Sequence, residues 1–485
     1  MWLSISRVIS LILLFLAYTQ LFRYLGPERS GQFQFVLSYV TLFGVIIDFG
    51  IQQYIIKKIT EDRSKAKMYF HNFLAVEIVL VVVVYAALLS IAYFNNYDPI
   101  VFKAIVVAGF GTALHGLIYP FLAVITSFYD LKKAALLNFI SSLVNVAIIF
   151  ITIWFQQSIV LLTTQQALYA ILAIVLYYRF VQKFIGKPDI VAGIKSTDWT
   201  LIKKIFKAAI PFAVLVGFST VYNRIDVVLI TKLLGYTQTG FYTAAYKFYD
   251  LIAFFPAVVS HSLYPVFSTL MAQNKLQDVR NALERYLRLM TALALPMATG
   301  AMLLSVPLIK ILAGEEFVPA AKVLAVLVWA PAILFVYIVV NSLVISQLTK
   351  FATFITGVNV IINIVGNLVL LPRIGIMGAA IMTIVSEAIQ GIFYFYFVRT
   401  KVTRFSFLKN IWQPCIATAI MGAAVYYMKD YFIVIPIAAG AMIYGVCLLV
   451  LGFFKKEDYQ FVKSFVMQGY GVVFRPKSPS DVIHE

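Results

Sequence analysis

The sequence predicts an all-α integral membrane protein with about 14 transmembrane helices. Of its 485 residues, 62% are apolar and only 12% are charged, whereas a soluble globular chain carries about 25% charged residues. Apolar runs of spanning length cover most of the chain, and the ten-residue alternation of a membrane barrel is not visible. A soluble enzyme, a disordered protein and a nucleic-acid-binding domain are therefore excluded.

The apolar windows account for nearly all of the sequence. They lie near residues 2–22, 31–51, 72–94, 100–125, 134–155, 159–180, 208–232, 240–267, 289–312, 320–345, 351–371, 378–398, 411–428 and 432–454. The two cysteines, Cys415 and Cys447, fall inside such windows and have no metal-ligand spacing. No metal and no cofactor are expected.

Lysine and arginine are spread unevenly over the gaps between the windows. The gaps after even-numbered windows, together with the tail, hold 28 of them, and the gaps after odd-numbered windows hold 5. Because positive residues are retained on the cytoplasmic side, both termini are predicted to be cytoplasmic. The net charge of +18 is then a topology signal that also suits contact with anionic membrane lipids, and no nucleic-acid partner is expected.

A short motif occurs twice, at an interval of 209 residues. Residues 25–31 read LGPERSG and residues 234–240 read LGYTQTG, after the first and the seventh window. An interval of six windows keeps both copies in the same orientation, which is typical of a parallel 6+6 repeat. The expected parts are an N-terminal lobe (1–183), a cytoplasmic linker with an interfacial helix (184–207), a C-terminal lobe (208–400), and two further helices with a cytoplasmic tail (401–485).

Two cytoplasmic stretches have the pattern of amphipathic interfacial helices. Asp198 is the expected N-cap of the first. In the second, over 275–290, Arg280, Glu284 and Arg288 are expected to face water, with Glu284 four residues before Arg288.

Five ionisable residues inside the seventh, eighth and twelfth windows are predicted to lie in one layer. With a rise of about 1.5 Å per residue, Arg224, Asp226, Lys247, Asp250 and Glu387 fall roughly 10–15 Å below the outer surface. Arg224 matches Asp250 in depth, and Asp226 matches Lys247. The cluster is either a set of structural ion pairs or a polar cavity that binds an anionic substrate and coupling protons or cations.

Amide side chains recur at helical spacing. Asn359, Asn363 and Asn367 form one stripe, and Gln165 and Gln166 lie in the sixth window. Such amides either form hydrogen bonds between helices or line a cavity that contacts sugar.

Other polar residues occur singly within the apolar windows. Asp48 is predicted at the cytoplasmic rim, and Glu77 is predicted near a span end, from which its side chain reaches the interface. His115 and His261 are expected to be core histidines. Aromatic residues predicted toward the outside are either an interfacial belt or platforms for sugar stacking: Tyr236, Tyr242, Tyr246 and Tyr249.

Four segments carry a resemblance to a known family. They are RYLGPERSGQF (23–33) with IDFGI (47–51), RIDVVLITKLLGYTQTGFYTAAYKFYD (224–250), GEEFVPAAKVLAVL (314–327) and NLVLLPRIGIMGAAIMTIVSE (367–387). On these segments the chain resembles the polysaccharide transporter family of the O-antigen flippase type. The superfamily also includes MATE-type multidrug antiporters and peptidoglycan precursor flippases.

The resemblance implies a flippase in the cytoplasmic membrane that moves a polyprenyl-pyrophosphate-linked oligosaccharide by alternating access. Arg224 and Lys247 would attract the phosphates, with Asn359 and Asn363 as candidate glycan contacts. Asp226, Asp250 and Glu387 would bind the coupling ion, H⁺ or Na⁺. Polysaccharide assembly enzymes are the implied protein partners.

The N-terminal lobe departs from this charge pattern. At the 209-residue interval, Lys247 and Asp250 correspond to Ser38 and Thr41, so charge handling is expected in the C-terminal lobe.

Two alternatives stay open: a MATE-like cation-coupled exporter of small amphipathic compounds, and a membrane enzyme that modifies glycans. The sequence carries none of the common catalytic motifs, so a transporter is favoured over an enzyme.

Overall fold

A computed structural model describes residues 2–128, 131–188, 197–347, 349–406 and 411–454. Within these ranges it leaves out the side chains of residues 2–8, 131–135, 138, 261, 262, 264, 265, 342, 344–347, 349 and 350. The predicted cytoplasmic tail beyond 454 and the side chain of His261 therefore lie outside the described residues.

The described residues from 2 to 188, here called the first half of the chain, form seven α-helices. They are α1 (Trp2–Asp48), α2 (Ile51–Glu61), α3 (Ala66–Phe94), α4 (Pro99–Gly116), α5 (Tyr119–Ser127), α6 (Leu131–Trp154) and α7 (Ile159–Ile185). Helix α2 is not a span: it has a charged face and buries Ile51, Ile55 and Ile59.

The described residues from 197 to 454, here called the second half of the chain, form long α-helices with shorter ones between them. They are α8 (Trp199–Leu234), α9 (Tyr236–Ala272), α10 (Leu276–Leu303), α11 (Ser305–Ala313), α12 (Ala320–Leu327), α13 (Trp329–Gln347), α14 (Thr349–Ile374), α15 (Ile376–Lys401), α16 (Trp412–Met428) and α17 (Val434–Val450). Two single-turn 3₁₀ segments, Arg63–Lys65 and Glu315–Phe317, complete the described helices.

The helices have the length and composition of a multi-pass membrane protein. Within the described ranges, nine helices are long and apolar enough to cross a membrane, and Phe139–Trp154 and Val434–Val450 are shorter apolar helices. No strand occurs in the described part of the chain. The all-α membrane fold is thus confirmed, whereas the count of 14 spans, the 6+6 lobes and the orientation of the termini stay predictions.

The two copies of the repeated motif have the same backbone conformation at their first glycine. Gly26 has φ 69° and ψ 178°, and Gly235, its counterpart 209 residues on, has φ 85° and ψ 175°. Both positive φ values lie in a region that glycine adopts without the steric cost of a β-carbon. A helical segment follows each glycine directly: the remainder of α1 follows the kink at Gly26, and α9 begins at Tyr236. Each motif is therefore a sharp bend and not an extended loop.

The predicted cap is confirmed, and one expectation about the interfacial helices is wrong. The Asp198 carboxylate accepts hydrogen bonds from the amides of Thr200 and Leu201 at the start of α8. On α10, Glu284 pairs with Arg280 (3.1 Å). Arg288 does not face water: it is 7% exposed and lies over the Phe453 ring at 5.1 Å, because the final helices cover that side of α10.

The packing of four helices positions the site. Helix α1 packs along α9, and α8 packs along both α1 and α14. The largest buried core includes Tyr242 and Phe248 of α9 together with Phe35 and Tyr39 of α1. The polar residues of α8 and α9 are thereby held at the contact between the first and the second half of the chain.

Candidate functional site

Two buried carboxylates form the centre of the site. Asp226 on α8 is 6% exposed, and Glu387 on α15 is 2% exposed. Burying a carboxylate costs free energy unless hydrogen bonds or charges compensate it. No ion pair within 4 Å involves either residue among the described side chains, so their partners are neutral.

Asp226 accepts three hydrogen bonds from three other helices. Tyr242 Oη donates to Oδ2 at 3.0 Å, Asn367 Nδ2 donates to Oδ1 at 2.9 Å, and Thr383 Oγ1 donates to Oδ2 at 3.4 Å. These donors come from α9, α14 and α15. One side chain therefore joins four helices, and any change in its charge acts on all of them.

Glu387 is surrounded by tyrosine hydroxyls. Tyr222 and Tyr249 donate to its Oε1 at 3.0 and 3.1 Å, and Tyr337 donates to Oε2. Tyr246 stacks on Tyr249 with ring centroids 4.6 Å apart. The tyrosines hold this carboxylate in place without supplying a positive charge.

The cations face a small cavity beside Asp226. Arg224, Lys247 and Asp250 line it with Asp226, Gln34 and Ser38 among others. Its space for water, about 20 Å³, is close to the volume that one water molecule requires. The Lys247 ammonium lies 4.0 Å from the centre of the Tyr18 ring, which stabilises the cation without a carboxylate.

The two ion pairs that the matched depths allow do not form. Asp226 has neutral partners instead of Lys247, and Arg224 does not come within 4 Å of Asp250, although Arg224 and Lys247 both act on Asp250 electrostatically. Depth along a helix does not fix the azimuth of a side chain around it. Four of the five charged residues share one cavity, whereas Glu387 lies in its own tyrosine cage.

The amide stripe of α14 packs against α15. Asn359 donates to Gln390 Oε1 at 2.8 Å and Asn363 donates to Ser386 Oγ at 3.3 Å. Both asparagines are buried and are absent from the residues that line the charged cavity. In this conformation they act in helix packing, and their predicted contact with substrate stays a prediction.

A second, larger cavity was not predicted. It has a volume of about 510 Å³ and is lined mainly by the first half of the chain, including Asp48, His115, Gln165 and Tyr169. Its polar lining residues recur at helical spacing on α1, α6 and α7, which the sequence shows, but only the packing of these helices brings them around one cavity.

Glu77 lies beside this region and corrects another expectation. It was expected to reach the interface, but it is 0% exposed, and neither carboxylate oxygen has a hydrogen-bond partner among the described residues. Helix α3 places it well inside the first half of the chain, near Gly116 of α4.

Known proteins match this chain over most of its length. It is 21% identical over 434 residues to the "Probable low-salt glycan biosynthesis flippase Agl15" of Haloferax volcanii, covering 88% of each chain. The solved structure "Lipid II flippase MurJ, inward closed conformation" superposes with a TM-score of 0.72 at 16% identity, over 93% of this chain and 98% of that one. An inward-facing multidrug resistance MATE family transporter superposes with a TM-score of 0.59 at 13% identity, over 80% and 94%.

These structural matches establish the fold, and two family profiles match the sequence. The MatE profile covers residues 211–369, which include Asp226 and the asparagine stripe. The profile described as "Polysaccharide biosynthesis protein" covers residues 1–271, more than half of the chain. The chain therefore belongs to the polysaccharide biosynthesis protein family of membrane proteins.

Proposed function

We propose that this protein is a flippase that moves a polyprenyl-pyrophosphate-linked oligosaccharide across the cytoplasmic membrane for surface polysaccharide assembly. The observation that carries the proposal is the cavity in which Arg224 and Lys247 lie beside buried Asp226. Among the described side chains, neither cation lies within 4 Å of a carboxylate oxygen, and Asp250 acts on both from a greater distance. Asp226 itself has only neutral donors. A cation that lacks a close carboxylate partner is suited to bind an anion from outside the chain.

The cations suit a diphosphate. A guanidinium binds phosphate oxygens through two parallel hydrogen bonds, and an ammonium adds a point charge. Arg224 is exposed, and Lys247 lies over the Tyr18 ring with Asp250 nearby but without a carboxylate within 4 Å among the described side chains. We therefore assign phosphate binding to these two residues, with the lipid tail remaining in the bilayer.

Ion coupling is the second part of the proposal. Asp226, Asp250 and Glu387 are assigned to bind H⁺ or Na⁺. Two hydroxyl oxygens lie beside the Asp226 carboxylate, Tyr242 Oη and Thr383 Oγ1, and Asn363 Oδ1 is one hydrogen bond further away through Asn367 Nδ2. Oxygen atoms of this kind are the ligands that hard cations prefer. Binding of an ion changes the charge at a point where four helices meet, and that change can favour one arrangement of the helices over another.

Alternating access requires the helices around the charged cavity to separate. The cavity holds about one water molecule, so a glycan cannot pass in this conformation. Asn359 and Asn363 are retained as candidate glycan contacts because their amides become available when α14 moves from α15. Polysaccharide assembly enzymes are the proposed partners, and the relatives' names favour a transporter over an enzyme.

A MATE-like exporter of small amphipathic compounds is the second candidate. It is favoured by the MatE match over residues 211–369 and by the similarity to a solved MATE transporter. In that case the same carboxylates would bind the coupling ion, and a cationic compound would have to avoid Arg224 and Lys247. The cations therefore favour the anionic substrate.

The test is export of surface glycan in cells that lack this gene. Wild-type protein is expected to restore export, and the variant carrying Arg224→Ala and Lys247→Ala is expected to reduce it at least 10-fold at equal membrane abundance. Gln413→Ala, which alters a buried amide on α16, is the matched control. Wild-type protein that restores no glycan but protects a pump-deficient host from cationic drugs would favour the exporter.

A further inference from the structure

The larger cavity has the size of a ligand site. Its volume of about 510 Å³ falls within the range of roughly 300–1,000 Å³ that small-molecule sites occupy. Residues of α1, α4, α5, α6 and α7 form most of its wall, and α8 contributes Val216 and Thr220. The first half of the chain therefore contains a cavity that the charged site does not use.

The wall of this cavity is polar but carries no positive charge. No lysine or arginine occurs among the described residues that line it, and Asp48 is the one carboxylate there. The remaining polar groups are amides and hydroxyls accompanied by aromatic rings, among them Thr112, Tyr119, Ser141, Asn145, Gln165 and Tyr169. Such a wall suits a neutral ligand with many hydroxyl groups and apolar C–H faces, and it does not suit a diphosphate.

Two amide oxygens of this wall have no hydrogen-bond partner among the described residues. They are Gln165 Oε1 and Asn145 Oδ1, and Gln165 is only 6% exposed. Buried polar atoms without a partner are rare because each costs about 1–3 kcal/mol. Both oxygens are acceptors that are covered in this conformation, so rotation of the two amides into the cavity would let a donor such as a sugar hydroxyl satisfy them.

The neutral cavity and the charged cavity follow one another along the same two helices. On α1, Gln34 and Ser38 line the charged cavity, and Thr41 lines the neutral one. Thr41 is one turn beyond Ser38, a rise of about 4.5 Å. Both cavities therefore lie on one face of α1.

The two cavities also follow one another along α8, but in the reverse order along the chain. Thr220 lines the neutral cavity, and Asn223 and Arg224 line the charged one. The step between them is again about one turn, or roughly 4.5–6 Å. Once the helices around the charged cavity separate, a molecule with a charged group joined to a neutral polar group can thus contact both cavities at once.

We propose that the neutral cavity binds the sugar headgroup of the substrate while Arg224 and Lys247 bind its pyrophosphate. The inference rests on the proposed function and extends it to the substrate class of a separate cavity. Gln165 and Asn145 accept hydrogen bonds from sugar hydroxyls, and Tyr119 and Tyr169 supply ring faces. Asp48 lies at the end of α1 that is predicted to face the cytoplasm, which is the side where the headgroup is assembled.

The test measures binding of two lipids to the full-length protein in nanodiscs. One lipid is a polyprenyl pyrophosphate without sugar, and the other is the same lipid carrying a disaccharide. The variant with Gln165→Ala and Asn145→Ala is expected to bind the glycosylated lipid about 10-fold more weakly, since two hydrogen bonds are lost. Its affinity for the bare pyrophosphate is expected to stay within about 2-fold of wild type, which also shows that it is folded.

Two further variants make the result specific. Arg224→Ala is expected to weaken binding of both lipids, and Gln413→Ala is expected to weaken neither. The sugar assignment is overturned if the double variant binds the glycosylated lipid like wild type, or if it loses affinity for both lipids equally. Wild-type protein that binds neither lipid would overturn the proposed function itself, which is a different result.

Discussion

Gly31 on α1 lies so close to the main-chain carbonyl of Tyr236 on α9 that no β-carbon fits between them. Gly240 makes the equivalent approach to the carbonyl of Pro27. Residues 27 and 236, like residues 31 and 240, are 209 positions apart. The two copies of the motif therefore touch each other reciprocally, as expected for elements related by a two-fold axis between them.

This contact predicts that alanine is not tolerated at either glycine. Gly31→Ala and Gly240→Ala each place a methyl group against backbone, which cannot move aside as a side chain can. Overpacking of this kind costs about 1–3 kcal/mol, so we expect a lower apparent unfolding temperature in detergent and reduced glycan export.

Gly300→Ala is the matched control, because nothing lies within 4 Å of the β-carbon it would add to α10. Alanine in a helix interior is favoured over glycine by about 0.5–1 kcal/mol, and this variant should be as stable as wild type or more so. Equal tolerance at Gly31, Gly240 and Gly300 would refute the tight approach.

Asp226→Asn tests ion coupling at the four-helix junction. The amide has nearly the same shape as the carboxylate but no charge, so it cannot attract a cation or release a proton. We expect transport in reconstituted vesicles to fall at least 10-fold and to lose its response to an imposed Na⁺ or pH gradient. Thr383→Val keeps the carboxylate and removes only its longest hydrogen bond (3.4 Å), so the response to the gradient should persist. A gradient response in Asp226→Asn equal to wild type would exclude Asp226 as the coupling residue.

The tyrosines around Glu387 are expected to contribute unequally to the stability of the folded protein. Tyr337 donates to Oε2, whereas Tyr222 and Tyr249 both donate to Oε1. Tyr337→Phe leaves one buried carboxylate oxygen without its tyrosine donor, at a cost of about 1–3 kcal/mol. Tyr222→Phe leaves Oε1 with a donor and should cost less. Thermal unfolding of both variants measures the order, and a larger loss in Tyr222→Phe would contradict the assigned contacts.

The Asp198 cap predicts a local effect at the start of α8. Asp198→Ala removes the acceptor for two amides at the start of α8 and should cost roughly 0.5–2 kcal/mol. Hydrogen exchange at Thr200 and Leu201 is expected to accelerate. Asp198→Ser restores a capping oxygen and should return exchange close to wild type, while unchanged exchange in Asp198→Ala would show that the cap does not stabilise this end.

Much of the site could be anticipated from residue type and helical rise. A charge inside an apolar run costs free energy wherever the helix packs, so the sequence alone singles out Arg224, Asp226, Lys247, Asp250 and Glu387 as candidates. The rise per residue also placed the first four at one level, where they share a cavity. The partners could not be anticipated, because Tyr222 and Tyr337 lie on helices whose rotation depends on neighbours far away in sequence.

By itself the sequence determined that the chain is helical, that it spans the membrane several times, and that its repeated glycine motif bends the chain at two equivalent places. These follow from the hydrogen bonds that a backbone must satisfy in lipid and from the steric freedom of glycine, which are local properties. Only the tertiary structure decided that Asp226 is held by neutral donors and that Gln165 faces a cavity. Which way a side chain points across a bundle depends on helix rotation and packing, and packing is a property of the assembled chain.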